Sequence, residues 1–266
     1  MTTTPIHLTE WRRLASNDPT VVMIHGGAQG GQAGGERTFA TQASLAGRGW
    51  RIIAPDRPGH GLSPAPSRPD DVDADAEWVR SMLAGGVHLV GHSFGGAVAL
   101  LAAARAPSDV RSLTLIEPAL FPLAISDVRV QAWMGQMGAA LGGAASDADR
   151  ATNFIALMRI PQELRGAASS EDLARVGRAL ADLRPPAEPM IRASLETIRS
   201  KEVPLMVVSG GWNPAFDAVA EAAAEAGGGR AVTIASEHHF PMLYEEFNDR
   251  LVEFMIQADP QTGKST

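Results

Sequence analysis

The chain has 266 residues, of which 45% are hydrophobic and 20% charged, so it can bury a sizeable core as one large domain or two small ones and is not a disordered chain. Its net charge of −7 and its scattered basic residues argue against nucleic acid, because phosphate binding needs clustered cations. It contains no cysteine, which excludes disulfides, thiolate nucleophiles and Cys-ligated metals.

The opening residues Met1-Thr2-Thr3-Thr4-Pro5 lack the basic-then-apolar pattern of a secretory leader. No run of about 18 apolar residues is present. A soluble cytoplasmic protein with no membrane partner is therefore expected. Loose alternation over 6–14 predicts an opening strand. The apolar run 20–24 predicts a buried strand that empties into the Gly-rich loop His25-Gly26-Gly27-Ala28-Gln29-Gly30-Gly31. A helix is expected from about 37 to 46, ended by Gly47 and Gly49. Residues 50–54 predict the next strand, followed by Asp56-Arg57-Pro58-Gly59-His60-Gly61-Leu62-Ser63, turn chemistry throughout. Over 70–83, Val72, Ala76, Val79 and Leu83 share one helical face. Asp70, Asp71, Asp73 and Asp75 crowd the front of that helix, where its dipole favours anions.

Residues 87–90 are a short strand-like run. They lead into Gly91-His92-Ser93-Phe94-Gly95-Gly96 and an Ala/Leu-rich helix over 97–104. Strand, tight G-x-S-x-G turn and helix together are the nucleophile elbow, with glycines where larger side chains would collide. The helix behind Ser93 aims N–H groups and a positive dipole end at the same spot. A strand over 110–116 closes on Glu117-Pro118. From Ala119 to about Ser200 no buried-strand run occurs, and the segment reads as a helical insertion broken by prolines and glycines. A strand at 203–209, a helix at 216–226, a strand at 231–235, a helix at 244–256 and a polar tail over 257–266 complete the chain. Alternating strands and helices imply a mostly parallel, doubly wound α/β sheet with both faces covered. Ligands of such sheets sit beyond the carboxyl ends of the strands, so the loops at His25, Asp56, Ser93, Glu117, Gly210 and Glu237 should hold the chemistry.

Four signals in this order carry a resemblance: His25-Gly26-Gly27, the Asp56–Ser63 loop, the elbow at Ser93, and His239-Phe240-Pro241 before the last helix. Over nearly its whole length the chain resembles the α/β-hydrolase superfamily, and in particular its cap-bearing esterases, lactonases and carbon–carbon bond hydrolases. The resemblance implies a core domain of residues 1–118 and 201–266 and a helical cap domain of 119–200. It also implies a triad in the order serine, acid, histidine. A serine hydroxyl is a poor nucleophile until a base takes its proton and a carboxylate orients that base. Ser93 is the candidate nucleophile. His239 matches the family's base position, with His238 as fallback. His25, His60 and His92 read as supporting loop residues, and His7 and His88 as structural.

The acid is open at this level. The family's usual aspartate position falls on Asn213, which carries no charge. Glu117, at the carboxyl end of the preceding strand, is the favoured carboxylate. Asp217 is the alternative, and a site without a charged acid the third. The oxyanion hole is assigned to the amides of Phe94 and Gly27. Trp133, Met134, Met137, Phe154, Leu157 and Met158 of the insertion are expected mainly to pack, and any that face the site would favour an apolar substrate. Asp56 is expected to hold its own turn.

The expected activity is cofactor-free and metal-free hydrolysis of a small, largely apolar ester or lactone. The alternatives are cleavage of a carbon–carbon bond in a diketone-like substrate and a low-turnover binding protein on the same scaffold. The expected partner is a small-molecule substrate, with a homodimer as an open option.

Overall fold

The computed structural model describes residues 6–14 and 17–259. Seven strands form one sheet: β1 (Leu8–Trp11), β2 (Thr20–Ile24), β3 (Arg51–Pro55), β4 (Val87–His92), β5 (Val110–Ile116), β6 (Leu205–Ser209) and β7 (Arg230–Thr233). Their spatial order is β1-β3-β2-β4-β5-β6-β7. Among the described residues only β1 runs antiparallel to its neighbour. The interior strands β2, β4, β5 and β6 are almost wholly buried, whereas the edge strands β1 and β7 keep exposed positions. This is what a parallel sheet covered on both faces requires.

Successive side chains of a strand point to opposite faces, and the core divides accordingly. Val22, Ile24, Leu89, Leu113 and Leu115 pack on one face with the helices α2 (Val72–Arg80), α3 (Phe94–Arg105) and α9 (Pro214–Gly227). Val21, Met23, Val90 and Ile116 pack on the other with Phe247, Leu251 and Met255 of α10 (Glu245–Ala258). Helix α3, Ala- and Leu-rich, has almost no exposed face because it lies in the middle of the first layer.

The residues between β5 and β6 form α4 (Val128–Gly142), α5 (Asp147–Leu157), α6 (Gln162–Arg165), α7 (Ser170–Asp182) and α8 (Glu188–Ser200). Gly177 of α7 lies directly against the Asp147 backbone of α5, where no side chain would fit. Ile191, Leu195 and Ile198 of α8 join the first core layer. Among the described residues no helix is long and apolar enough to cross a membrane.

Several local expectations change. The opening strand is limited to Leu8–Trp11, whose register runs from Leu8 opposite Pro55 to Trp11 opposite Ile52, one residue from the start of its partner β3 at Arg51. The helix expected at 37–46 is instead a single turn, α1 (Gly35–Thr38), followed by a 3₁₀ stretch Ala40–Arg48. Asp56 accepts from the Gly35 amide at 2.7 Å and so starts the turn early. Gly49, at φ 87°, ends the stretch. Helix α2 begins only at Val72, because Asp71 caps it by accepting from the Asp73 and Ala74 amides. The end of the polar tail, 260–266, lies outside the described residues.

Candidate active site

The elbow is built by close approach. A Cβ on Gly91 would lie 2.4 Å from the Gly95 carbonyl oxygen, and one on Gly95 would lie 2.4 Å from the carbonyl oxygens of both Ile24 and His25. Helix α3 can therefore start directly against β2 and β4 only with glycine at both places. Ser93, between them, is held at φ 57°, ψ −124°. Such a conformation costs a residue with a side chain about 1–3 kcal/mol. The surrounding hydrogen bonds hold it there: Ser93 N–H donates to the Ile116 carbonyl, and its own carbonyl accepts from the Gly96 and Ala119 amides.

The structure brings Glu117, and not Asp217, to His239. Glu117 is fully buried and also adopts a positive φ of 45°. Its Oε2 lies 2.8 Å from His239 Nδ1 and accepts from Trp212 Nε1 at 2.8 Å, while Oε1 accepts from the Gly210 amide at 2.6 Å. Asn213, at the family's aspartate position, instead caps α9 by accepting from the Ala215 amide. Asp217 lies one turn further along that helix and makes no bond to His239.

Burial pushes the Glu117 carboxyl up to about 8, against the pull of Trp212 and Gly210. Burial also pushes His239 down to about 3, helped by the neighbouring His238. Gly210 N–H and Trp212 Nε1–H can only donate, so the atoms around Glu117 are arranged for a carboxylate, and its one exchangeable proton partner is Nδ1. The two groups titrate as a pair.

His239 Nε2 is buried with no hydrogen-bond partner among the described residues, so its bond to Ser93 is not formed here. In such sites that bond commonly tightens only with substrate bound. Ser93 and His239 line the same pocket. Gly27 lines it as well, and Phe94 is the first residue of α3, whose amide has no intrahelical acceptor. The cavity encloses about 120 Å³ and is walled by Phe154, Ile155, Met158, Leu164, Leu173 and Val176.

Of the insertion residues singled out from sequence, Phe154 and Met158 reach this pocket. Trp133 packs against Trp212 and Phe216 instead, and Met134, Met137 and Leu157 pack against the core. The supporting histidines are all buried. His92 donates from Nε2 to the His239 carbonyl at 2.7 Å, and His25 bonds the Gly26 carbonyl and the Arg57 amide. His238 braces the turn through Ser236 and stacks on Tyr244. Asp56 does more than hold its own turn, since it ties Gly35 to the Leu62 amide.

Two features escaped the sequence reading. Trp212 donates to the Glu117 carboxylate, and no spacing rule announces an indole partner. Asp70 and Asp75, read as helix-dipole residues, are buried and paired with a buried Arg57. An arginine in a turn motif carries no sign of where its guanidinium goes.

A serine on a strained elbow, a histidine and a buried carboxylate, all at the carboxyl ends of a mostly parallel sheet, define the α/β-hydrolase class of architecture. The chain belongs to the alpha/beta hydrolase family, whose sequence profile matches residues 21–254. It is similar to the lipase LipV of Mycobacterium tuberculosis, 45% identical over 73 residues that cover 26% of this chain and 28% of that protein. It is also similar to the pimeloyl-[acyl-carrier protein] methyl ester esterase of Chromobacterium violaceum, 33% identical over 156 residues, 58% of this chain and 57% of that one. The chain thus spans about a quarter to somewhat over half the length of these curated relatives. Among solved structures it resembles the esterase from Exiguobacterium antarcticum (TM-score 0.65, 23% identity, 94% and 95% of the two chains covered). It likewise resembles MenH from S. aureus (TM-score 0.67, 17% identity, 97% and 99% covered). At these identities the structural likeness speaks for the fold.

Proposed function

We propose that this chain is a serine hydrolase that cleaves small, largely apolar carboxylic esters, lactones included, through an acyl-enzyme on Ser93. Ser93 Oγ attacks the ester carbonyl and gives its proton to His239 Nε2. Glu117 holds the imidazole through Nδ1–H and offsets the charge of the imidazolium. The amides of Gly27 and Phe94 hold the developing oxyanion. His239 then protonates the leaving alcohol, and a water activated by the same imidazole releases the acid.

The observation that carries this reading is His239, tied at Nδ1 to a buried carboxylate with Nε2 unbonded, in one pocket with a serine held in elbow geometry. The wall chemistry supports an apolar substrate. The volume supports a short one, since a cavity of about 150 Å³ holds a benzene. A low-turnover binding protein would fit a histidine without a charged partner, and the buried Glu117 at 2.8 Å from His239 Nδ1 favours turnover instead. We take residues 119–200 as the cap, because α5, α6 and α7 wall the pocket above the sheet.

The test is hydrolysis of a p-nitrophenyl ester series by the wild type and Ser93→Ala. Acyl chains of about two to six carbons should be preferred, and Ser93→Ala should lose at least about a thousandfold in kcat. Full turnover by Ser93→Ala would remove the acyl-enzyme from the account.

A further inference from the structure

Arg57 lies beneath the Gly-rich loop and is fully buried. Its guanidinium meets Asp70 Oδ1 at 2.5 Å and Asp75 Oδ2 at 3.0 and 3.1 Å. Asp75 is paired again with Arg68, and Asp70 also accepts from the Gln29 amide. Two guanidinium groups and two carboxylates thus meet in one network, which no solvent-exposed ion pair resembles. The remaining nitrogen, Nη1, points at the loop itself and lies 3.4 Å from the carbonyl oxygens of both Gly26 and Gly27. On its other side the guanidinium carbon sits 4.7 Å from the centre of the Phe94 ring. One side chain therefore touches both residues assigned to the oxyanion hole.

The peptide between Gly26 and Gly27 explains why this matters. A trans peptide is planar, and its C=O and N–H point in opposite directions. Holding the Gly26 carbonyl toward Arg57 therefore turns the Gly27 N–H the other way, toward the pocket that Gly27 and Ser93 line. The same carbonyl accepts from His25 Nδ1 at 2.8 Å. That bond needs the proton on Nδ1, and the Arg57 amide, which donates to His25 Nε2 at 2.9 Å, leaves it nowhere else. Glycine at 27 sits at φ 87°, a conformation from which the peptide could turn over freely without these anchors.

We propose that Arg57 is the positioning residue of the oxyanion hole: held by Asp70 and Asp75, it fixes the 26–27 peptide so that the Gly27 amide faces the reacting carbonyl. This rests on the serine-hydrolase reading above. Arg57 touches no substrate. Its loss would let the peptide populate the turned-over form, in which a carbonyl oxygen replaces the N–H. That would weaken transition-state binding while leaving the apolar walls, and hence substrate binding, as they are.

The test compares Arg57→Lys and Arg57→Met with the wild type on one short p-nitrophenyl ester and on its thiono counterpart, whose C=S accepts hydrogen bonds poorly. Lys keeps the charge between Asp70 and Asp75 but cannot also reach the loop carbonyls. For Arg57→Lys, kcat on the ester should fall about tenfold to a hundredfold with KM nearly unchanged. The thionoester should lose much less, so the ester-to-thionoester rate ratio drops. Inhibition by a boronic acid, which places an oxygen in the hole, should weaken in step with kcat. A merely structural role would lower both substrates together or lower only the melting temperature.

Unchanged kcat, or an unchanged rate ratio, in folded Arg57→Lys overturns the proposal. If Arg57→Met does not fold, Arg57→Lys decides alone. If neither folds, Arg57 belongs to the core only, which overturns it equally. Ser93→Ala, assayed alongside, separates the two levels. Residual turnover there would count against the serine-hydrolase reading, whereas a dead Ser93→Ala beside fully active Arg57 variants would count against this inference alone.

Discussion

Acidification should unfold this protein early, because four histidines outside the Glu117–His239 pair are buried in the neutral form. Burial holds His25, His60 and His92 well below the ordinary value of 6.5 and lowers His88 to about 4. The unfolded chain takes up their protons below about pH 6.5 and the folded chain does not. Their contribution to stability is thus present above 6.5 and is lost as pH falls toward the folded values. Each histidine costs roughly 1 kcal/mol or slightly more between pH 7 and pH 5.5, and the four together on the order of 5 kcal/mol. Within the Glu117–His239 pair, the lowered histidine adds to this loss and the raised carboxyl opposes it, so the pair largely cancels.

A loss of about 5 kcal/mol is a third or more of a typical folding free energy. Urea unfolding followed by circular dichroism at pH 7.0, 6.5, 6.0 and 5.5 should show the midpoint falling steeply with little change in slope. His88 supplies the control. It bonds Ser112 at 2.8 Å and packs edge-on against Trp50, and it does not line the pocket. His88→Asn should reduce the pH-dependent loss by about a quarter, to about 4 kcal/mol. A stability that stays flat from pH 7 to 5.5 would mean that these histidines protonate in place, and the reasoning from burial would be refuted.

Glu117→Gln should lower kcat by about a hundredfold or more with little change in KM, while Asp217→Asn should stay within a few-fold; the reverse order would move the acid to α9. The acid limb of kcat/KM should rise with pH, since the working form is the pair after proton loss, and Trp212→Phe should move it upward by about one to two pH units by removing a donor to Glu117 Oε2. A pH–rate profile identical to wild type would show that the indole bond does not tune the acid. Gly95→Ala places a methyl against the β2 backbone and should cost about 3 kcal/mol or more, lowering Tm by about 6–12 °C in calorimetry.

Much of the fold is legible from local pattern. The interior strands are short apolar runs because both sheet faces are covered, and glycines 91 and 95 mark the elbow because contacts near 2.4 Å leave no room for a side chain. The ends of elements were less legible, since they depend on bonds to residues elsewhere in the chain, such as Asp56 on Gly35. The insertion gave its helical character by composition. Which of its apolar residues face the pocket follows only from how α5, α6 and α7 are set against the sheet.

By itself the sequence singled out Ser93 at the elbow, the histidine before the last helix and the Gly-rich loop, because each depends on backbone geometry that few residues allow. Only the tertiary structure shows which carboxylate meets that histidine. Glu117 and Asp217 are both carboxylates within reach by chain order, and what separates them is the end of β5 turning at a positive φ to meet Gly210, Trp212 and His239. The same holds for Arg57. Its charge is visible in the sequence, but its burial between Asp70, Asp75 and the Gly26–Gly27 peptide arises from loops and the first turn of α2 converging in space.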